Sequence, residues 1–427
     1  METPNLDRLA WRSVYFPQAF AVSALCTPSR AQLLSGRYSS QNGVAELPAE
    51  RAGDTAPRRT RFNPGEPLVA RLLSDAGYLT GTVGKWHIDN SPASCGFAYA
   101  RFVYGNGDYY DQVFRDEHVV AMPTQGHVEK ASASFGCEFL DLARTAGRPF
   151  FLFYNTRAPH MDSRYSWPSE EATRRKYPPE LFPLPVTRDG SLEGKPTYLE
   201  QSRSRTQAIH YGYRNPARIQ QHESEYFSTI AELDSAIGPF LDGLEKRGLL
   251  GNTYIILMGD NGWFIGEHLF TSKVLAYEES IRVPLLISGP GIRPGKAEQL
   301  ALNIDIAPTL LDLAGLDIPA KMYGRSLADV VRDPKTASGR DGFLYEMAPA
   351  ADTARNPFIR AFRTETMKLI RTYRMGSDTQ VEFVELYDLR KDPYEARNVA
   401  DDPAYANLLK ALSRRLDQEI KRVADKR

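Results

Sequence analysis

Cys26, Arg30, Lys85, His87, His160, Asp260, Asn261, His268 and Lys273 are the residues whose types and settings could do chemistry. In Cys26-Thr27-Pro28-Ser29-Arg30 the Thr-Pro pair starts a helix, so Cys26 sits where unpaired backbone N–H groups point outward. That end of a helix favours anions, and Arg30, one turn in, adds a fixed cation whose forked donors suit a tetraoxo anion. The plain alternative is a lone cysteine ahead of an ordinary helix. Lys85 and His87 follow an apolar run, and strand alternation puts them on one side; taken alone they would read as a solvated lysine beside a packed histidine. Asp260-Asn261-Gly262 offers hard oxygen donors, suited to Ca²⁺ or Mg²⁺ and not to zinc, although Asn-Gly by itself is a common turn. Cys95 and Cys137 read as inert small hydrophobes. His118, His127, His210 and His222 read as surface or packing residues.

The elements that must position these groups follow from apolar periodicity. Thr3-Pro4 starts a helix, and Pro67–Ala76 is a second, closed by Gly77. Tyr78–Val83 reads as a strand ending at Gly84, and Pro149–Tyr154 and Thr253–Met258 read as fully buried strands. Phe135–Ala146 is helical. Residues 219–247 form the clearest helix, with Tyr226, Ile230, Leu233, Ile237, Leu241 and Leu244 on one face and Gly248 at its end. This rhythm predicts an α/β fold with a mostly parallel sheet sandwiched by helices. Chemistry in such sheets gathers at the carboxyl ends of the strands, where Lys85, His87, His160, Asp260 and Asn261 fall.

Residues 161–218 are rich in Pro, Arg, Ser and Tyr without a sustained period, which predicts long surface excursions. Beyond about residue 335 the segments 342–346, 358–363, 367–373 and 382–388 alternate or are rich in aromatics, and a helix over 403–424 closes the chain. The expected organisation is a catalytic domain over 1–335 and a C-terminal α+β subdomain over 336–427, a small antiparallel sheet plus a helix. Lys and Arg number 53, as do Asp and Glu, so no net field draws nucleic acid, and an anionic substrate must be held by a local cluster. No apolar run reaches the roughly eighteen residues of a membrane helix. The opening Met1–Arg8 is polar and carries acids, unlike a signal peptide.

Cys26-Thr27-Pro28-Ser29-Arg30-Ala31-Gln32-Leu33-Leu34-Ser35-Gly36-Arg37 resembles the signature of the type I sulfatases, Cys-x-Pro-Ser-Arg-x-x-Leu-x-x-Gly-Arg, at every defined position. The resemblance continues in Gly84-Lys85-Trp86-His87, Pro159-His160, Gly259-Asp260-Asn261-Gly262, Gly266-Glu267-His268, Lys273 and Tyr277–Pro284. It extends to the structural landmarks Asp305–Leu310 and Leu386–Leu389. It implies an alkaline-phosphatase-like fold and a sulfuric ester hydrolase whose nucleophile is formylglycine, made from Cys26 by a maturation enzyme. It also implies bound calcium, with Mg²⁺ as a substitute, ligated by Asp260, Asn261 and the Cys26-derived oxygen. Lys85 and Arg30 would offset sulfate charge, and His87 would hydrogen-bond the nucleophile. His160 and Lys273 would serve the departing oxygen, and His268 would contact substrate. Where the family often has Pro two residues after the histidine, this chain has Asp162.

In that family a first strand ending in two calcium-binding aspartates precedes the Thr-Pro-Asn-Leu-Asp-Arg-Leu helix. Here that helix begins at Thr3, and Asp7 lies within it. The expectation is a partial metal site, weak calcium retention and low activity from residues 1–427. A strand encoded in frame upstream is expected too, after a signal peptide that would make the protein periplasmic or secreted. The substrate class expected is a sulfated saccharide or small sulfate ester. A phosphate or phosphonate monoesterase and a non-catalytic anion-binding remnant are the alternatives.

Overall fold

The two apolar runs nearest the candidate residues form an interior strand and one edge of the same sheet. In the computed structural model, which describes residues 1–48, 58–105, 107–336, 339–348 and 356–426, β2 (Leu79–Trp86) lies between β3 (Tyr99–Tyr104) and β6 (Phe150–Asn155), parallel to both. β4 (Val113–Asp116) and β5 (Ala121–Pro123) extend the β3 side antiparallel, giving five strands in all. Thr80, Thr82 and Val83 suit the pleat by their branched side chains. Gly84 is required by close approach: its φ is +89°, and a Cβ there would stand 1.9 Å from the Asn155 carbonyl oxygen on β6.

A second sheet carries the other half of the site. It runs β11 (Gly295–Lys296), β1 (Ser13–Tyr15), β10 (Leu285–Ser288), β7 (Ile255–Met258), with β10 antiparallel to both neighbours. The candidate residues therefore come from two sheets, with β6 and β7 each at an end of its own. β6 from Phe150 to Tyr154 and all of β7 are half-buried, which corrects the expectation of full burial for both runs. A continuous apolar run reports a sheet with two covered faces only when the strand is interior to it.

Among the helices, α1 (Pro4–Ala10) and α2 (Cys26–Ser35) begin near their expected starts, and α3 (Val69–Asp75) begins two residues after Pro67. α4 (Val128–Ala146) starts well before Phe135, because His127 caps it by accepting from the Glu129 N–H. α6 (Pro216–Lys246) is capped by Asn215, which accepts from the Ala217 N–H. Residues 161–218 include α5 (Arg203–His210) and bury Trp167, Leu199, Ala208 and Tyr213, so they are a packed wall as well as surface. Short pieces pinned by single aromatics leave no period to read.

The C-terminal part holds β12 (Phe343–Met347), β13 (Ile359–Arg363), β14 (Met367–Tyr373) and β15 (Val381–Asp388) in consecutive antiparallel order. α7 (Ala406–Asp425) packs on this sheet through Leu412, Leu416 and Val423. The same hydrophobic cluster includes Phe264, Phe270, Tyr277 and Ile281, so the sheet braces the segment that carries Lys273. Among the described residues no helix is long and apolar enough to cross a membrane.

Candidate active site

Cys26 is the first residue of α2 and follows Leu25, whose backbone is extended (φ −145°). The helix start is fixed to the end of β2 by Thr27, whose hydroxyl donates to the His87 carbonyl oxygen at 2.5 Å. Two ammonium groups converge on the thiol: Lys273 Nζ at 2.8 Å and Lys85 Nζ at 3.7 Å from Sγ. Burial alone would push the Cys26 thiol up. Lys273 and Lys85, with hydrogen bonds from His160 and His87, overcome this and hold it well below its ordinary value. The pocket around Sγ is thus built to hold negative charge.

Arg30, one turn along α2, ties the two sheets together. Its Nε and Nη2 each lie 2.9 Å from Asp260 Oδ2 at the end of β7. Nη1 donates to the Lys85 carbonyl oxygen at 3.2 Å and to Asn155 Oδ1 at 2.9 Å, at the ends of β2 and β6. Asn155 was not picked out from the sequence; its place as the last residue of a strand in this sheet was the available signal. Lys273 Nζ also donates to Asn261 Oδ1 at 3.2 Å.

Burial lowers Lys85 to about 8, against the opposing pull of Cys26, and lowers His87. Burial and the Lys85 charge bring His160 down to about 4. The Nδ1 of His160 lies 2.7 Å from the Met161 carbonyl oxygen, an acceptor only, so Nδ1 carries the hydrogen and Nε2 is the nitrogen that titrates. Trp263 lies beside His160 and Lys273. Its ring and that of His160 form a T-shaped pair at 5.0 Å between centroids, and Lys273 Nζ stands 5.2 Å from its centroid. Trp263 carried no motif and was missed from the sequence.

Seven of the other eight candidates thus gather around Cys26, and His268 does not. Its ring is 1 % exposed, lies against Phe270 and Tyr277, and faces the charges of Lys195 and Lys368. Burial lowers it to about 3. The expected substrate contact finds no support in this placement, because Gly266 and the left-handed backbone of His268 (φ 53°) turn the segment towards the C-terminal sheet.

Asp260 and Asn261 are hard oxygen donors, the right chemistry for Ca²⁺ or Mg²⁺. Two residues are far short of the six to eight oxygens of a calcium site, and Arg30 and Lys273 already engage both. Among the described residues no three His, Cys, Asp or Glu side chains group as a metal site. Asp260 and Asn261 would therefore supply only part of a hard-cation site.

The cysteine at the centre of this constellation opens the sulfatase signature, and the sulfatase family model matches residues 1–316. The chain belongs to the sulfatase family. As a family member it is a sulfuric ester hydrolase with the alkaline-phosphatase-like α/β fold. Residues 266–422 also match the model of the N-sulphoglucosamine sulphohydrolase C-terminal region. This sulfatase is 29% identical over 490 residues to an N-acetylglucosamine-6-O-sulfatase of Bacteroides thetaiotaomicron, covering 100% of this chain and 83% of the relative. A solved structure in complex with its substrate D-glucosamine-2-N,6-O-disulfate superposes with a TM-score of 0.85 at 28% identity, covering 100% of this chain and 94% of the other. A phosphonate monoester hydrolase of Silicibacter pomeroyi superposes at 0.75 with 22% identity, over 99% and 90% of the two chains, and shares the fold alone.

Proposed function

We propose that this sulfatase hydrolyses sulfate esters on carbohydrates, with 6-O-sulfated glucosamine the first substrate to try, using a nucleophile made by oxidation of Cys26 to formylglycine. The observation that carries this reading is the convergence of Lys273 and Lys85 on Cys26 Sγ, with His160 and His87 beside it. The relatives that act on sulfated glucosamine support the sugar class. Sγ marks the position the modified residue's oxygen would take, and a maturation enzyme is the partner required. Formylglycine, once hydrated, supplies a hydroxyl nucleophile.

The chain's own groups then have separable tasks. Lys85 and Lys273 hold the sulfate oxygens, and Arg30 orients Asp260 and Asn155 around them. His160 is neutral in the free site. A sulfate ester lodged between Lys85 and Lys273 brings negative charge that offsets theirs and raises His160. Its Nε2 then gives a proton to the departing oxygen as the S–O bond breaks. Lys273 stabilises the same oxygen, and His87 would take the proton of the second hydroxyl, so that sulfate leaves and the aldehyde is restored. A hard cation, calcium before magnesium, would draw on Asp260 and Asn261 and supply Lewis-acid stabilisation when bound.

Turnover of matched aryl sulfate and aryl phosphate esters, with added Ca²⁺ and with a chelator, tests this. Sulfate ester turnover should exceed phosphate ester turnover and rise with Ca²⁺. Preference for the phosphate would point to a phosphomonoesterase, and sulfate binding without turnover of either would point to an anion-binding protein.

A further inference from the structure

His160 stands on a turn that is held from two sides. The chain leaves β6 at Asn155 and runs through Thr156, Arg157, Ala158 and Pro159 to His160, closing with a hydrogen bond from the His160 N–H to the Arg157 carbonyl oxygen at 2.9 Å. The two amides at the head of this turn both end on one atom. Glu129 Oε1 accepts from the Arg157 N–H at 2.6 Å and from the Ala158 N–H at 2.8 Å. Glu129 lies in the first turn of α4, is 1 % exposed, and has its own N–H held by the capping His127. On the far side of the turn Tyr109 donates to the His160 carbonyl oxygen at 2.6 Å, and Trp167 to that of Pro159 at 2.8 Å.

We infer that Glu129 is a positioning residue for leaving-group protonation: by gathering the Arg157 and Ala158 amides it sets where His160 presents Nε2. This rests on the proposed role of His160. A buried carboxyl placed only for stability could pair with the cation beside it. Here its bonded oxygen goes wholly to the backbone of the turn, and Oε2 has no hydrogen-bond partner among the described residues. Burial pushes the Glu129 carboxyl up to about 7, and a carbonyl-type oxygen can accept both amides in either protonation state. Geometry is therefore what the residue supplies. Proton donation to a leaving oxygen depends steeply on distance, so a shift of the turn by about an ångström lowers it by about 10².

The consequence separates by leaving group. An aryl sulfate with an acidic phenol leaves without full protonation, whereas a sugar alkoxide needs the proton at the moment the S–O bond breaks. The ratio of kcat/KM for methyl glucosaminide 6-sulfate to that for 4-nitrophenyl sulfate reads this, and does not depend on the fraction of enzyme that is folded or matured. In Glu129→Asp, whose carboxylate is drawn back by one methylene, the ratio should fall by about 10². Glu129→Gln, which keeps an oxygen in place for both amides, should restore the ratio to within a few-fold of the parent. Equal losses on both substrates in Glu129→Asp would make the residue merely structural and overturn the inference. His160→Ala run beside them isolates the underlying reading. If its ratio does not fall, His160 is not the leaving-group acid; if it falls while that of Glu129→Asp stands, only the role of Glu129 is lost.

Discussion

Lys273 Nζ lies 2.8 Å from Cys26 Sγ and 3.2 Å from Asn261 Oδ1, although it arrives from the end of a short hairpin far along the chain. This hairpin, β8 (Phe264–Ile265) and β9 (Thr271–Ser272), holds Lys273 between two residues with left-handed backbone, Ser272 at φ 67° and Val274 at φ 77°. Non-glycine residues in that region cost about 1–3 kcal/mol each and persist where the surroundings hold them. The surroundings here are α5: Ser204 Oγ donates to the Lys273 carbonyl oxygen at 3.2 Å, and Arg205 donates to that of His268 at 2.9 Å. The wall formed by residues 161–218 thus aims the lysine at the nucleophile.

Lys273→Ala should therefore lower kcat on a sulfate ester by about 10²–10³, as the loss of a preorganised charge at a reacting oxygen does. Its thermal midpoint should stay close to the parent's, since the ammonium contacts site atoms and the backbone clamp remains. Steady-state kinetics beside a thermal melt checks both. A melted protein whose folded remainder turns over normally would make Lys273 structural.

Lys85 predicts the alkaline limb of the pH profile. Burial holds its ammonium at about 8, so its charge is present below that pH and is lost as the pH rises through it, well before an ordinary lysine at 10.5. kcat/KM for a sulfate ester should fall above about pH 8, and Lys85→Arg, which stays charged, should lack that limb while working more slowly. A parent profile flat up to the ordinary lysine range would remove Lys85 from the site's charge balance.

Gly84 joins fold and site. Gly84→Ala forces a Cβ to 1.9 Å from the Asn155 carbonyl oxygen at a backbone angle of +89°, so β2 and β6 must part next to Lys85. The expected loss of stability is about 3 kcal/mol or more, read by urea unfolding, with activity lost alongside. An unfolding midpoint equal to the parent's would show that the strands can slide apart without strain.

Much of this was legible in the sequence because the elements that aim the site are long or strongly marked. The signature run located Cys26 and Arg30, and the runs ending at Gly84 and Tyr154 placed Lys85, His87 and His160 at strand ends. The C-terminal strands and α7 read directly from alternation and helical period. What stayed hidden depends on contacts between distant, short pieces. β1, β8, β9 and β11 are two or three residues long and exist through pairing partners that no local pattern names. Glu129, Asn155 and Trp263 act through atoms brought from other elements. His268, marked by its motif, sits on a left-handed turn that no local pattern announces.

The proposed mechanism makes Cys26 a precursor whose oxidised form does the chemistry. Mass spectrometry of the Cys26 peptide, from protein made with a maturation enzyme and assayed on a sulfate ester, measures this most directly. The aldehyde of formylglycine is expected at position 26, in a fraction that rises and falls with turnover across preparations, with no turnover from Cys26→Ala. Fully active protein carrying an unmodified Cys26 thiol would contradict it.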